Sequence, residues 1–422
     1  MDIFKNCRKR APEMKHLMEQ MKVCTSRMAL AALDIFPGNQ YYFERINPRF
    51  PMCIDMGYRR DTEDEEELTE PCSWEPSACS NGSLLVLGAS GSGKTETLKK
   101  VGRAVIHHPI PLLIIDFHGD IVFPGQTSFL LSSGFDSCIG VNPLELPSLN
   151  HRLIGLRDQW LGVTAMLKRA CPHLSQNQLA IITFAIGQAF RNAGIEEAFP
   201  WTWSNQAPRL VDVLDVLRKW GEDGFDCFSA ASIRGCYNAV TSVFGHPVFN
   251  RFVGLDLNRL QNACTRIDLS HVDESIRFLV AETLLRLVFA KLRGLGPIPV
   301  NPASDKERYR LMILIDEAKI LTCGKGDPDS RDRILNVLIT EGRKFGIGLI
   351  LASQMVDHFG QDVLSNVASL LVMKPMDARE AKRNAATVQV PYEDLLALRG
   401  RGEGYFKTGG NPRAVKLQVT MG

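Results

Sequence analysis

The segment from Leu84 to Thr95 constrains the fold of this 422-residue chain more than any other. Four apolar residues, Leu84–Leu87, predict a buried strand that runs into Gly-x-x-x-x-Gly-Lys-Thr and then into a helix start. Glycines let a backbone approach phosphate oxygens and direct N–H groups at them, and the helix N-terminus adds partial positive charge. The pattern predicts a phosphate-binding loop. A plain Gly/Ser-rich turn is the alternative, which the strand before and the helix after disfavour.

The residues of this loop predict a nucleotide site. We expect Lys94 to reach the β- and γ-phosphates and Thr95 to offer its hydroxyl to Mg²⁺. ATP and Mg²⁺ are therefore the expected cofactors. The candidate nucleotide-binding residues of this segment are Gly88, Ala89, Ser90, Gly91, Ser92, Gly93, Lys94, Thr95 and Glu96.

A second apolar run, Leu311–Ile315, ends in two acids, Asp316 and Glu317. Asp316 is the candidate metal ligand, and Glu317 is the candidate catalytic base that polarises the water attacking the γ-phosphate. Such a run is a weak signal alone, but it gains weight from the phosphate-binding loop earlier in the chain. The adjacent Glu favours hydrolysis over transfer of the phosphoryl group to another acceptor.

Two further strand ends carry polar residues. Asp116, His118 and Asp120 follow the apolar run Leu112–Ile115, and ligands of α/β proteins bind at the carboxyl ends of strands. Asp116 and His118 are therefore candidate nucleotide contacts, although ordinary turn chemistry explains them equally well. Gln354 ends another apolar strand and is either a sensor of the γ-phosphate or an ordinary polar residue at a strand end.

Periodicity divides the chain into three parts. Apolar residues at helical spacing predict a helical insertion over 150–262, within an α/β core with a mostly parallel sheet at 81–149 and 263–422. Residues 1–80 form an N-terminal extension, predicted to be partly helical with an acidic loop.

Charge and composition limit the possible partners and location. The formal net charge of +2 predicts no broad basic surface for nucleic acid, although a basic lining inside a ring would not show in that total. No apolar run approaches the ~20 residues needed to span a bilayer. Scattered cysteines without a secretory signal predict reduced thiols and a cytoplasmic protein.

Four segments together resemble the HerA/FtsK group of ring ATPases, and the HerA type most closely. These segments are 88–95, 115–120, 314–318 and 341–354. The resemblance covers about residues 82–420, and it implies a RecA-like P-loop NTPase core with six subunits around DNA and ATP between subunits.

The resemblance also implies roles for individual residues. Arg343 would act as an arginine finger in the neighbouring subunit's site, and Gln354 would be the sensor. Arg343 could instead be a surface residue beside Lys344. The residues that carry over to the subunit's own site are Lys94, Thr95, Asp316 and Glu317.

Two departures from the family pattern stand out. Residues 1–80 look too helical and acidic for the small β-barrel with which HerA-type proteins usually begin. Lys319 stands where the family often has His. Lys319 and Lys325 are candidate DNA contacts on a pore loop, with a solvated surface loop as the alternative.

The resulting functional expectation is a Mg²⁺-dependent ring ATPase that translocates or remodels DNA, with a nuclease or defence effector as partner. Two alternatives stay open. One is a cytosolic coupling ATPase of a DNA-transfer or secretion system, since type IV coupling proteins share much of this core. The other is an ATP-gated scaffold that activates an effector without translocating DNA.

Overall fold

The computed structural model describes residues 51–60, 70–108, 110–132, 139–147, 155–225, 227–251, 253–257, 264–322, 333–409 and 411–420. The chain divides into two units, and all of these residues belong to the second, Pro51–Gly422. Lys325, the helices predicted before residue 51 and nearly all of the acidic loop lie outside the described residues.

A sheet of eleven strands forms the centre of this unit, and two further short strands pair separately. In chain order the strands are β1 (Ile54–Arg59), β2 (Pro71–Trp74), β3 (Ser83–Leu87), β4 (Leu112–Asp116), β5 (Thr127–Leu130), β6 (Ile139–Gly140), β7 (Val253–Gly254), β8 (Cys264–Asp268), β9 (Leu311–Ile315), β10 (Ile347–Ser353), β11 (Ser369–Met373), β12 (Glu403–Thr408) and β13 (Asn411–Gln418).

The large sheet is mostly parallel, which confirms the predicted fold class. Its spatial order is β2-β1-β13-β12-β11-β3-β10-β9-β4-β8-β5. The strands from β11 to β5 pair in parallel, whereas β2, β1, β13 and β12 extend the sheet in antiparallel fashion beside β11. The carboxyl ends of β3, β10, β9 and β4 therefore lie side by side at one edge.

Helices cover the sheet and form the insertion. They are α1 (Lys94–His107), α2 (Leu156–Ala170), α3 (Gln176–Asn192), α4 (Leu210–Asp223), α5 (Ala230–Phe244), α6 (Glu274–Gly294), α7 (Asp305–Arg308), α8 (Lys319–Thr322), α9 (Ile334–Glu341), α10 (Gln361–Asn366), α11 (Ala378–Val388) and α12 (Tyr392–Leu396). Helices α2–α5 lie between β6 and β7, within the range predicted as a helical insertion. Within the described ranges, no helix is long and apolar enough to cross a bilayer.

The central strands are continuous apolar runs because both faces of the sheet are covered. Every residue of β3, β4, β9, β10 and β11 is buried. Alternate residues serve opposite faces: Leu85 and Leu87 join one apolar cluster, and Leu84 and Val86 join the other. This packing fixes the strand register and with it the residues that emerge at each edge.

Strands β1 and β2 lie in a segment that the sequence assigned to the N-terminal extension. β1 pairs with β2 and, in antiparallel register, with β13 close to the end of the chain. Ile54, Met56 and Trp74 are completely buried in the smaller apolar cluster. These strands therefore belong to the same sheet as the core.

Candidate nucleotide-binding site

The phosphate-binding loop follows β3 and leads into α1, as predicted. Gly88 has a φ of 153°, and a Cβ at this position would lie 2.8 Å from Oγ of Ser92, so the turn requires glycine. Two hydrogen bonds hold the loop in place. The N–H of Ala89 donates to the Lys374 carbonyl (2.9 Å), and the Gly402 N–H donates to the Ser92 carbonyl (2.9 Å).

Lys94 begins α1 and folds back over the loop. Its Nζ donates to the carbonyl oxygens of Gly88 (2.7 Å) and Ala89 (2.9 Å). Burial lowers the pKa of Lys94, whereas the negative charges of Glu317 and Glu380 raise it. The ammonium group is thus held at the loop, where it can contact phosphate oxygens.

The other loop residues differ in what they offer. Ser92 is buried and its Oγ has no hydrogen-bond partner, so it is available to an incoming phosphate. Ser90 is exposed at the loop tip, and Thr95 is half-buried in the first turn of α1. Glu96 lies 3.3 Å from Nζ of Lys99 in an ion pair along the same helix, which accounts for its side chain without nucleotide.

Asp316 and Glu317 follow β9 at the same edge. Asp316 is buried, and it accepts hydrogen bonds from the N–H of Phe117 (3.0 Å) and from Nδ1 of His118 (2.8 Å). Burial raises the pKa of Asp316, and these two hydrogen bonds lower it. The bond to Asp316 also raises the pKa of His118. The structure thus joins His118 to the predicted metal ligand.

Glu317 is only 6% exposed, and its Oε1 has no hydrogen-bond partner. Its Oε2 lies 3.7 Å from Nζ of Lys319, which is the first residue of α8. An acceptor oxygen that is buried and unpaired is suited to take a proton from a bound water. Lys319, predicted as a DNA contact, therefore also lies beside the candidate base.

Gln354 follows β10, whose register places it between the other site residues. Ser353 pairs with Leu87, directly before the phosphate-binding loop, and Leu351 pairs with Ile315, directly before Asp316. Gln354 is half-buried at this edge. The structure thus brings its backbone position next to both signatures.

Three carboxylates at this edge form a candidate Mg²⁺ site. Carboxylate oxygens of Asp116, Asp120 and Asp316 lie within 4.8 Å of one another. Hard oxygen ligands of this kind suit Mg²⁺, which keeps several waters and binds through one or two carboxylates and the phosphates. Asp316 thus fits such an ion, whose charge would offset that of the phosphates, and metal binding by Thr95 stays a prediction.

Asp116 has most of its hydrogen-bonding capacity in use. Its carboxylate accepts from the N–H groups of His118 (3.2 Å), Gly119 (2.8 Å) and Ile121 (3.0 Å) and from Nε of Arg266 (2.7 Å). These bonds fix the turn after β4. The geometry therefore shows that Asp116 orders this turn. Direct contact of Asp116 with nucleotide stays a prediction.

No family model matches the chain. The DNA double-strand break repair helicase HerA of Sulfolobus acidocaldarius is 21% identical over 329 residues, which cover 74% of this chain and 59% of the relative. The DNA import protein CedB of the same organism is 24% identical over 360 residues, covering 82% of this chain and 54% of CedB. The chain therefore matches little more than half the length of these curated relatives.

Solved structures share the fold. VirB4 of Thermoanaerobacter pseudethanolicus aligns with a TM-score of 0.66 at 15% identity, covering 87% of this chain and 96% of VirB4. The plasmid coupling protein TrwB, in complex with ADP and Mg²⁺, aligns with a TM-score of 0.55 at 14% identity, covering 81% and 86% of the two chains. This P-loop chain is thus similar in sequence to HerA and shares the fold of VirB4 and of the coupling protein TrwB.

Arg343, the candidate arginine finger, lies at the opposite edge of the sheet. It is exposed in the 3-10 helix Gly342–Phe345, directly before β10. β10 has seven residues, which at about 3.3 Å per residue separate its two ends by roughly 20 Å. The structure therefore does not bring Arg343 to the phosphate-binding loop of its own subunit.

Sequence reasoning missed Glu380 and Arg266, which interact with residues of the candidate site. Arg266 stands inside β8 and looked like one polar residue of a strand, yet it pairs with Asp116. Glu380 lies three residues after Asp377, and this spacing indicates a helix cap rather than a nucleotide site. Only the tertiary fold brings Glu380 near Lys94.

Proposed function

We propose that this chain hydrolyses ATP with Mg²⁺ in a ring of six copies and couples hydrolysis to movement along DNA or to its remodelling. The observation that carries the proposal is the division of the predicted site residues between two edges of one sheet. Lys94, Asp316 and Glu317 converge at one edge, and Arg343 lies at the other. A subunit of this shape presents half a site at each end, and head-to-tail contacts of this kind close into rings.

The proposed chemistry assigns one task to each side chain. Thr95 and Asp316 would hold Mg²⁺, which would supply positive charge beside the phosphates. Lys94 turns from the loop carbonyls to the phosphates. Glu317 accepts a proton from the attacking water, and Gln354 donates to the γ-phosphate.

The DNA substrate is supported by the relatives rather than by the charge of this chain. HerA is named as a DNA repair helicase and CedB as a DNA import protein. A nuclease or defence effector is the partner that the HerA resemblance suggests.

A coupling ATPase is the second candidate. The similarity of fold to VirB4 and to the coupling protein TrwB favours it. Both candidates use the same nucleotide site and differ in what the ring is attached to. An effector-activating scaffold would differ from both in that DNA would not raise its rate of hydrolysis.

The test measures ATP turnover by the purified chain with and without duplex DNA, together with its mass in the presence of ATP and Mg²⁺. We expect a hexamer, DNA-stimulated turnover and no turnover by Lys94→Ala. A chain that stays monomeric at micromolar concentration would overturn the ring, and turnover indifferent to DNA would favour the scaffold. Turnover that survives Lys94→Ala would remove the proposed site.

A further inference from the structure

Helix α11 and the connection that leads into it contact two parts of the candidate site, the segment that follows Gln354 and the phosphate-binding loop. The connection from β11 to α11 supplies the Lys374 carbonyl that accepts from Ala89. One helical turn beyond Glu380, Oδ1 of the buried Asn384 accepts from the N–H of Val356 (3.2 Å). Arg383 forms an ion pair with Asp357 in the same segment. The helix is therefore fixed against two parts of the site.

Glu380 lies in the first turn of this helix and is 6% exposed. Its Oε2 accepts from the Met376 N–H (2.8 Å), and its own N–H donates to Oδ1 of Asp377 (2.8 Å). The bond to Asp377, the N-cap residue, caps the helix, and the bond from Met376 holds the residue before the cap. The cap uses only one carboxylate oxygen, because the buried Oε1 has no hydrogen-bond partner.

Capping alone does not call for a negative charge at this position. Glutamine serves a capping box as well as glutamate does, since its amide oxygen accepts the same bond. The charge of Glu380 is nevertheless kept in a buried place, where burial raises its pKa, and it acts on Lys94 together with the charge of Glu317. The hydrogen bonds of the loop also link Lys94 to this part of the fold: its Nζ donates to the Ala89 carbonyl, and the Ala89 N–H donates to the Lys374 carbonyl in the connection to α11. Lys94 is therefore a cation on which this charge acts.

We propose that Glu380 is a positioning residue of the nucleotide site, whose carboxylate balances the charge of Lys94 when no phosphate is bound and opposes the phosphates when nucleotide is present. This inference rests on the proposed ATP site. It assigns to Glu380 a part in nucleotide exchange: the negative charge keeps the ammonium group in place for the next nucleotide and weakens the hold on the one already bound.

The proposal predicts the direction in which nucleotide affinity changes. Removal of the charge should tighten nucleotide binding, and it should tighten ATP more than ADP because ATP carries more negative charge. Since the group is buried, the effect should also be screened little by salt. A capping role alone predicts neither the direction nor the preference for ATP.

The experiment compares Glu380→Gln with the wild-type chain by titrating ATP and ADP, each with Mg²⁺, in a direct binding assay. Glu380→Gln keeps the capping acceptor, so we expect a melting temperature near that of the wild type. We expect the Kd for ATP to fall about fivefold, the Kd for ADP to fall less, and ADP to dissociate more slowly. Unchanged or weaker ATP binding by the folded variant would overturn the proposal.

Asp377→Asn is the matched control. It removes the same charge three residues away at an exposed position and keeps an N-cap acceptor, so we expect less than about a twofold change in either Kd. An effect equal to that of Glu380→Gln would assign the result to overall charge and overturn the specific role.

If Glu380→Gln does not fold, a second variant, Glu380→Asp, which keeps the negative charge, tests the proposal. Its ratio of ATP to ADP affinity should stay within about twofold of the wild-type ratio, and a larger rise in that ratio would contradict the proposal. The two proposals fail differently. A wild-type chain that binds no ATP refutes the proposed function and this inference together, whereas normal wild-type binding with unchanged Glu380→Gln refutes only the inference.

Discussion

The two edges of the parallel sheet are built from the same strands and treat their polar groups in opposite ways. At the amino edge, the Gly346 carbonyl accepts from the N–H groups of Arg310 and Leu311, and the Arg310 guanidinium donates to the carbonyls of Gly296 and Pro297. At the carboxyl edge, buried oxygens of Ser92, Glu317 and Glu380 have no hydrogen-bond partner.

This difference indicates that the amino edge contributes to stability and the carboxyl edge to function. A buried polar atom without a partner costs about 1–3 kcal/mol, so a fold keeps such atoms only where something else repays the cost. A bound nucleotide would accept a hydrogen bond from the Ser92 hydroxyl, and the attacking water would donate to Glu317, whereas Glu380 would keep its charge for Lys94. The amino edge instead pairs the groups around Gly346 and holds Arg343 at its surface, where a neighbouring subunit can be reached.

Loss of the candidate base should have the largest effect and tests the carboxyl edge. Glu317→Gln keeps the size of the side chain and removes its capacity as a base, so we expect turnover to fall about 10⁴-fold while ATP still binds. The measurement is steady-state turnover beside a binding titration. Near-normal turnover would point to Asp120 or another acid.

Loss of the arginine should have the next largest effect and tests the amino edge. Arg343→Ala should bind ATP normally and hydrolyse it about 10³-fold more slowly, because a guanidinium supplied by a neighbour stabilises charge on the γ-phosphoryl group. Turnover and ATP affinity are measured on the same sample. Lys344→Ala, at the adjacent exposed position, is the control and should change turnover little.

Mixing the two variants sharpens the comparison further. In a mixed ring, an interface between an Arg343→Ala subunit that holds ATP and a Glu317→Gln subunit that supplies its arginine has both groups intact. We expect part of the activity to return when differently tagged copies are shown to exchange. No recovery in such mixed rings would mean that Arg343 does not act across the subunit boundary.

A substitution at the amino edge should change stability and leave nucleotide affinity alone. A Cβ at Gly82 would lie 2.5 Å from the ring of Tyr309, so Gly82→Ala should lower the free energy of unfolding by about 1–3 kcal/mol. Denaturant unfolding and an ATP titration measure the two quantities. Gly155→Ala, where a Cβ meets nothing within 4 Å, is the control. A changed ATP affinity in folded Gly82→Ala would show that the two edges are coupled.

The smallest effect is expected from the candidate DNA contacts. Lys319→Ala combined with Lys325→Ala should weaken DNA binding and reduce the slope of log affinity against log salt by about 1 to 2. Lys306→Ala, an exposed lysine in α7 before β9, is the control at the amino edge. If affinity and slope both stay unchanged in the double variant, the assignment of a pore loop is wrong.

Local patterns predicted the parts of the site that follow directly from a strand. The phosphate-binding loop, Asp316 and Glu317 could be located because each follows an apolar run whose burial requires a parallel sheet covered on both faces. Gln354 could be located for the same reason, since it follows the apolar strand β10. The register of β10 with β3 and β9 places these three segments side by side.

The remaining parts depend on contacts between distant segments. Strand β1 pairs with β13 across almost the whole chain, and neither strand carries a pattern that names its partner. Glu380 reads locally as a capping residue, and its position near Lys94 exists only after β11 has paired with β3.

The two hydrogen bonds that hold the phosphate-binding loop have a mechanical consequence. Ala89 is tied to Lys374 beyond β11, and Ser92 is tied to Gly402 before β12. The loop is thus anchored to the segment after β11 and to the segment before β12, as well as to its own strand and helix. During ATP turnover the loop backbone would therefore stay in place. The groups that move would be long side chains such as Lys94 and the residues of a neighbouring subunit that contact them.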